Sequence, residues 1–97
     1  DLFKDINEVE IFKPTNFSIS NNWLVSIKFT NNDINKAKDN KKIVLKECHK
    51  KGFLIRPAWK TLHTLSFYKN NPRGIIKTGE NLSDRLVNLP SSPFLID

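Results

Sequence analysis

Hydrophobic positions in this chain fall into short runs separated by asparagines, prolines and lysines, and the spacing within each run predicts its structure. Trp23, Val25, Ile27 and Phe29 alternate with Leu24, Ser26, Lys28 and Thr30. That period of two predicts a strand over 23–30 with one mostly buried face. Asn21-Asn22 before it and Asn31-Asn32-Asp33 after it are turn-formers. A weaker strand is predicted over Val9–Phe12, ending at Lys13-Pro14.

The next pattern is helical. Val44, Leu45 and Cys48 make an apolar stripe flanked by Lys41, Lys42, Lys46, Lys50 and Lys51. Ile34 and Ala37 extend the stripe backward, but Asp39-Asn40 leaves open whether the helix reaches them. Gly52 stands where a helix commonly ends in a left-handed residue, and the cations crowd the last turns, where the helix dipole favours them. Phe53–Arg56 reads as a strand halted by Pro57, which cannot donate to a sheet ladder. Residues 57–79 show no sustained period and are predicted to be an ordered loop with a helical turn near Leu65–Tyr68. Asn81–Leu86 reads as a short helix and Val87–Leu89 as a last strand. The expected fold is α+β, a small antiparallel or mixed sheet flanked by helices.

Composition adds two points. Ninety-seven residues make one domain, 1–97, and a chain this short buries only about 60–65% of its unfolded surface. Its apolar fraction is 38%, against roughly 45–50% in ordinary globular chains, so a domain that leans on a partner surface is expected. The chain also contains no methionine. A natural reading frame starts with one, so the sequence is expected to be a piece of a longer protein.

Charge is concentrated. The net charge is +6, and seven lysines between Lys36 and Lys51 are opposed there only by Asp39 and Glu47. No apolar run approaches the roughly 20 residues of a membrane-spanning helix, and the Asp1-Leu2-Phe3-Lys4-Asp5 start lacks a signal-peptide pattern. A single cysteine, Cys48, supports no internal disulfide framework. A cytoplasmic setting without a membrane partner is the expectation. Lysine outnumbers arginine thirteen to three and asparagine occurs twelve times, a bias that coding composition alone can produce.

Candidate chemistry is sparse. Cys48 and His49 are adjacent, but neighbouring helix positions point about 100° apart, which argues against a nucleophilic pair. The lysine run could be a nucleic-acid footprint. Its lysines surround an apolar stripe, however, as a solvated outer face does, and no aromatics are interleaved for base stacking. A stand-alone basic module for nucleic acid or an anionic surface is therefore the alternative reading, and no nucleic-acid partner is expected. There is no glycine-rich phosphate loop and no residue set with metal-ligand spacing.

The stretch Arg56-Pro57-Ala58-Trp59-Lys60-Thr61-Leu62-His63 is the richest. It places two cations, an indole and an imidazole just past a predicted strand end, and strand-end loops commonly carry sites. Arginine binds phosphate bidentately and histidine donates or transfers a proton. A surface loop whose Trp59 plugs the small core remains the plainer reading of the same residues.

Gly52-Phe53-Leu54-Ile55-Arg56-Pro57-Ala58-Trp59-Lys60-Thr61-Leu62-His63, followed by Phe67-Tyr68 and Asn71-Pro72-Arg73, resembles a segment of a known enzyme family. So do Arg85-Leu86-Val87-Asn88-Leu89-Pro90-Ser91-Ser92-Pro93 and, upstream, Ile11-Phe12-Lys13-Pro14 and Ser20-Asn21-Asn22-Trp23-Leu24. Together they resemble the C-terminal domain of the pyridoxal-phosphate-dependent sugar aminotransferases of the DegT/StrS class, in order, from about Val9 to Pro93. Asn22 departs from the family pattern, where an aromatic often stands.

The resemblance implies the small C-terminal domain of a fold-type I aminotransferase that aminates a nucleotide-linked 4-keto-6-deoxy sugar for surface polysaccharide or nonulosonic-acid biosynthesis. The implied cofactor is pyridoxal phosphate, bound by a large N-terminal domain that this chain lacks together with its cofactor lysine. The implied partners are that domain, the nucleotide sugar and an amino donor such as glutamate, in a homodimer when full length. No catalytic residue is assigned to this chain, which would be inactive alone. The resemblance gives Arg56, Trp59 and His63 as substrate-binding residues: Arg56 toward a phosphate or sugar oxygen, Trp59 as a wall, His63 as a hydrogen-bond partner to the sugar. Asn22 and Trp23 are expected to be structural.

Overall fold

The computed structural model describes residues 3–91; residues 1–2 and 92–97, which include Ser92 and Pro93 of the closing phrase, lie outside the described residues. In chain order the elements are β1 (Val9–Ile11), β2 (Ser26–Phe29), α1 (Ile34–Lys50), β3 (Arg56–Pro57), α2 (Lys77–Arg85) and β4 (Leu86–Asn88). Two 3-10 turns, Leu62–Thr64 and Ser66–Tyr68, lie between β3 and α2. The fold is a small α+β domain.

The four strands form one antiparallel sheet in the order β1-β2-β4-β3. Because β4 is antiparallel to both neighbours, β2 and β3 run parallel to each other with β4 inserted between them. The register aligns Val9 with Phe29, Ile27 with Val87, and Val87 with Pro57. Cross-strand partners share a face, so these side chains make one apolar face. Ile27, Phe29, Val87 and Ile55 are buried there with Ala37 of α1, flanked by Val44, Leu45 and Cys48. By alternation, the other face carries the rows Glu10–Lys28–Leu86 and Ser26–Asn88–Arg56.

Helix α1 is continuous from Ile34, so Asp39-Asn40 does not break it. The Asp33 carboxylate accepts the backbone N–H of Asn35 at 2.9 Å and caps the start. Against that cap, the few tenths of a kcal/mol that interior Asp and Asn cost each do not decide the outcome. At the other end Gly52 has φ +83, its N–H donates to the His49 carbonyl, and the Phe53 N–H donates to that of Cys48. This double closure is the Schellman arrangement.

Most strand and helix ends shift by a residue from the sequence expectation, and three elements differ by more. The central strand starts at Ser26, not Trp23, and Trp23 is 64% exposed. The reason is a tight turn: Ser20 Oγ accepts the Asn22 N–H, Asn21 Oδ1 accepts the Trp23 N–H, and Asn22 takes φ 55, a region asparagine tolerates. The strand expected over Phe53–Arg56 forms only at Arg56–Pro57: residues 53–55 are not strand, and Pro57 does not halt β3 but lies within it. It can do so because β3 is at the sheet edge, where a missing N–H costs no ladder bond. Helix α2 begins at Lys77, four residues before Asn81. Gly79, a weak helix former, hides its first turn from the pattern.

The apolar balance is unusual. Among the described residues five apolar residues are buried, while sixteen large hydrophobic residues are exposed, among them Phe17, Ile19, Trp59, Phe67 and Ile75. Scattered exposed apolar residues are ordinary; here, among the described residues, they are three times as many as the core holds. Among the described residues, no helix is long and apolar enough to cross a membrane.

Candidate functional site

Strand β3 and the loop after it are pinned in three ways. The Ala58 N–H donates to the Leu86 carbonyl at 3.1 Å, prolonging the ladder past Pro57. The Ser83 hydroxyl donates to the Trp59 carbonyl at 3.0 Å. His63 Nε2 lies 3.0 Å from Glu80 Oε1. Glu80 and Ser83 are three residues apart and so share a face of α2. The helix is itself held to α1 by Lys38 with Asp84 at 2.9 Å and by Lys41 Nζ donating to the Ser83 carbonyl at 2.6 Å.

So anchored, the loop opens a groove of about 480 Å³. Its walls come from three distant stretches: Trp23 and Leu24, residues from Leu54 to Lys60, and Asn88 to Ser91. Each stretch belongs to one of the phrases that carry the family resemblance. Trp59 is 79% exposed, so it is a wall of this groove and not a plug in the core. Arg56 and Lys60 supply positive charge, and among the described residues no carboxylate lines the groove. Asn88 accepts a hydrogen bond from Ser26 Oγ at 2.7 Å, which leaves its NH₂ end to donate. The groove thus offers two indole faces, two cations and an amide, a set suited to an anion that carries a flat or sugar-like body.

Arg56 and Trp59 are therefore brought together, and His63 is not with them. The 3-10 turn Leu62–Thr64 carries His63 into a second groove that shares no lining residue with the first. Its side chain is 14% exposed, with Nε2 engaged by Glu80. Glu80 and Ser83, the anchors of the loop, went unseen in the sequence; the signal available was their three-residue spacing on a helix whose start was itself obscured.

The remaining candidates resolve simply. His49 Nε2 lies 2.7 Å from the Ile55 carbonyl while Cys48 packs against the core, so the two form no dyad. In the lysine run, Lys38, Lys42 and Lys50 pair with Asp84, Asp39 and Glu47, and Lys41 is tied to α2. Burial pushes the Lys41 ammonium below its ordinary value of 10.5, with Asp84 acting the other way. Among the described residues, Lys36, Lys46 and Lys51 are the lysines of the run left without a partner.

Pyridoxal phosphate does not fit this chain by itself. Among the described residues, Lys60 is the one amine lining the larger groove, and no carboxylate is there to face a pyridine nitrogen. Among the described residues, no cluster of His, Cys, Asp or Glu could hold a metal ion. No known family, no curated protein and no solved structure matches this chain.

Proposed function

We propose that this chain is the C-terminal, substrate-side domain of a pyridoxal-phosphate-dependent aminotransferase of the DegT/StrS class. The enzyme would aminate a nucleotide-linked 4-keto-6-deoxy sugar. The observation that supports this most directly is the convergence of the three resembling phrases, some 30 residues apart in sequence, on one groove. Exposed apolar side chains away from the His63 groove, among them Phe17, Ile19, Phe67 and Ile75, support it too, because a domain that caps a larger neighbour keeps such a surface.

In this reading the cofactor, held by the large domain, supplies the amino-group chemistry. The present chain binds and orients the substrate. Arg56 takes a phosphate oxygen, aided by Lys60, while Trp59 and Trp23 wall the groove and exclude water from it. Ser83 and Glu80 keep the loop in place. His63 is left out of the sugar contacts because its groove is a different one.

The test is transamination by the full-length protein, with a nucleotide-linked 4-keto-6-deoxy sugar and glutamate. Arg56→Ala is expected to raise KM for the sugar at least tenfold, and Trp59→Ala to raise it less. Wild-type KM in both variants, or a 97-residue chain that binds pyridoxal phosphate through its own lysine, would overturn the proposal.

A further inference from the structure

We infer that the groove beside His63 is a separate binding site for a small monoanionic carboxylate with an aromatic or branched apolar body. The groove lies between the 3-10 turns and α2 and measures about 450 Å³, within the roughly 300–1,000 Å³ of small-molecule sites. Leu62, Tyr68, Pro72 and Ile76 form its apolar walls. Leu62 is 67% exposed and Tyr68 46%, so a hydrophobic body seated here would remove substantial apolar area from water.

The polar groups define the charge of the ligand. Arg73 lines the groove, and no described residue makes a hydrogen bond or ion pair with its guanidinium. The fork of an arginine matches the two oxygens of one carboxylate. His63 also lines the groove, while Nε2 is held by Glu80, whose carboxylate belongs to the neighbouring groove with Lys60 and Asp84. With its imidazole protonated the His63–Glu80 pair is neutral; with it neutral the pair is negative. Among the described residues Arg73 is therefore the one net positive group on the walls, enough for a single negative charge. A dianionic phosphate would meet the Glu80 carboxylate behind His63 without a second cation to compensate. This site stands whether or not the chain belongs to an aminotransferase, since it shares no wall with the other groove.

The test is an NMR titration of the isotope-labelled 97-residue chain with phenylacetate, 2-phenylacetamide and phenyl phosphate. Phenylacetate is expected to saturate below about 10 mM, with shifts confined to signals of Leu62, His63, Tyr68, Arg73 and Ile76. The neutral amide should bind at least tenfold more weakly and the phosphate no more tightly than the carboxylate. Arg73→Gln, at an exposed position whose loss breaks no internal contact, should abolish the preference for carboxylate over amide. Equal binding of acid and amide, tighter binding of the phosphate, shifts centred on Trp23 and Trp59, or no saturation would each overturn the inference.

Discussion

Arg85 donates through one guanidinium nitrogen to the carbonyl of Phe29, at 2.9 Å, and to that of Asn31, at 2.6 Å. Phe29 is the last residue of β2 and Arg85 the last of α2, so a single buried side chain closes the end of the strand against the end of the helix. Its Nε donates in turn to Asn81 Oδ1 at 3.0 Å. Arg85→Met keeps much of the volume but removes the guanidinium donor from both carbonyls, of which the contact at Phe29 is buried. An unsatisfied buried polar group costs about 1–3 kcal/mol, so a loss of about 2–4 kcal/mol is expected, read from urea unfolding followed by circular dichroism.

Phe29 is fully buried and centrally placed among Ile27, Val87, Ala37 and Ile55. Phe29→Ala is expected to cost about 3–5 kcal/mol, which in a domain with five buried apolar residues among those described is most of its stability. Thermal unfolding should show a broad, non-cooperative transition near room temperature. A sharp transition within a few degrees of wild type would mean that the core lies elsewhere.

Gly52 separates backbone conformation from packing. Its φ is +83, and a Cβ there would meet nothing within 4 Å. Gly52→Ala should therefore lose only the conformational preference, about 1–2 kcal/mol, and Gly52→Asn less than that. Equal stability of all three proteins in denaturant would show that the left-handed residue is not what ends α1.

Lys41 gives the alkaline limb of the stability profile a sign. Burial lowers its value below 10.5 in the folded chain, so on raising the pH the native state loses this proton before the unfolded state does. Between the lowered value and 10.5 the unfolded state holds more protons, and stability rises with pH there. Below that window both states are charged and the contribution is constant. Wild type should thus gain stability relative to Lys41→Met across the window; a falling difference would contradict the burial of this ammonium.

Local signals carried well from sequence to structure, and long-range ones did not. Helix α1, its end at Gly52 and the pairing of Ile27 with Phe29 on one face all follow from residues within a few positions of each other. Trp23 did not, because the alternation that makes Ile27 and Phe29 core positions continues backward through Val25 to a residue that the Asn21-Asn22 turn has already rotated out. The 3-10 turn at Leu62–Thr64 likewise has no periodic signature, yet it divides Trp59 from His63, four residues apart, between two grooves. The meeting of residues 23–24 with 88–91 depends on β2 pairing with β4, a contact across some 60 residues that no local pattern encodes.

The position of β4 has a consequence for how the chain comes to be folded. The last strand in the described sequence lies in the interior of the sheet, holding β2 on one side and β3 on the other. While this chain is being synthesised, β1, β2 and α1 emerge long before the strand that joins them to β3, and loop closure over such distances slows folding. Until Val87 is made, β2 and β3 have no strand between them to join them. A truncation before Leu86 would not shorten this protein; it would leave two unconnected edges.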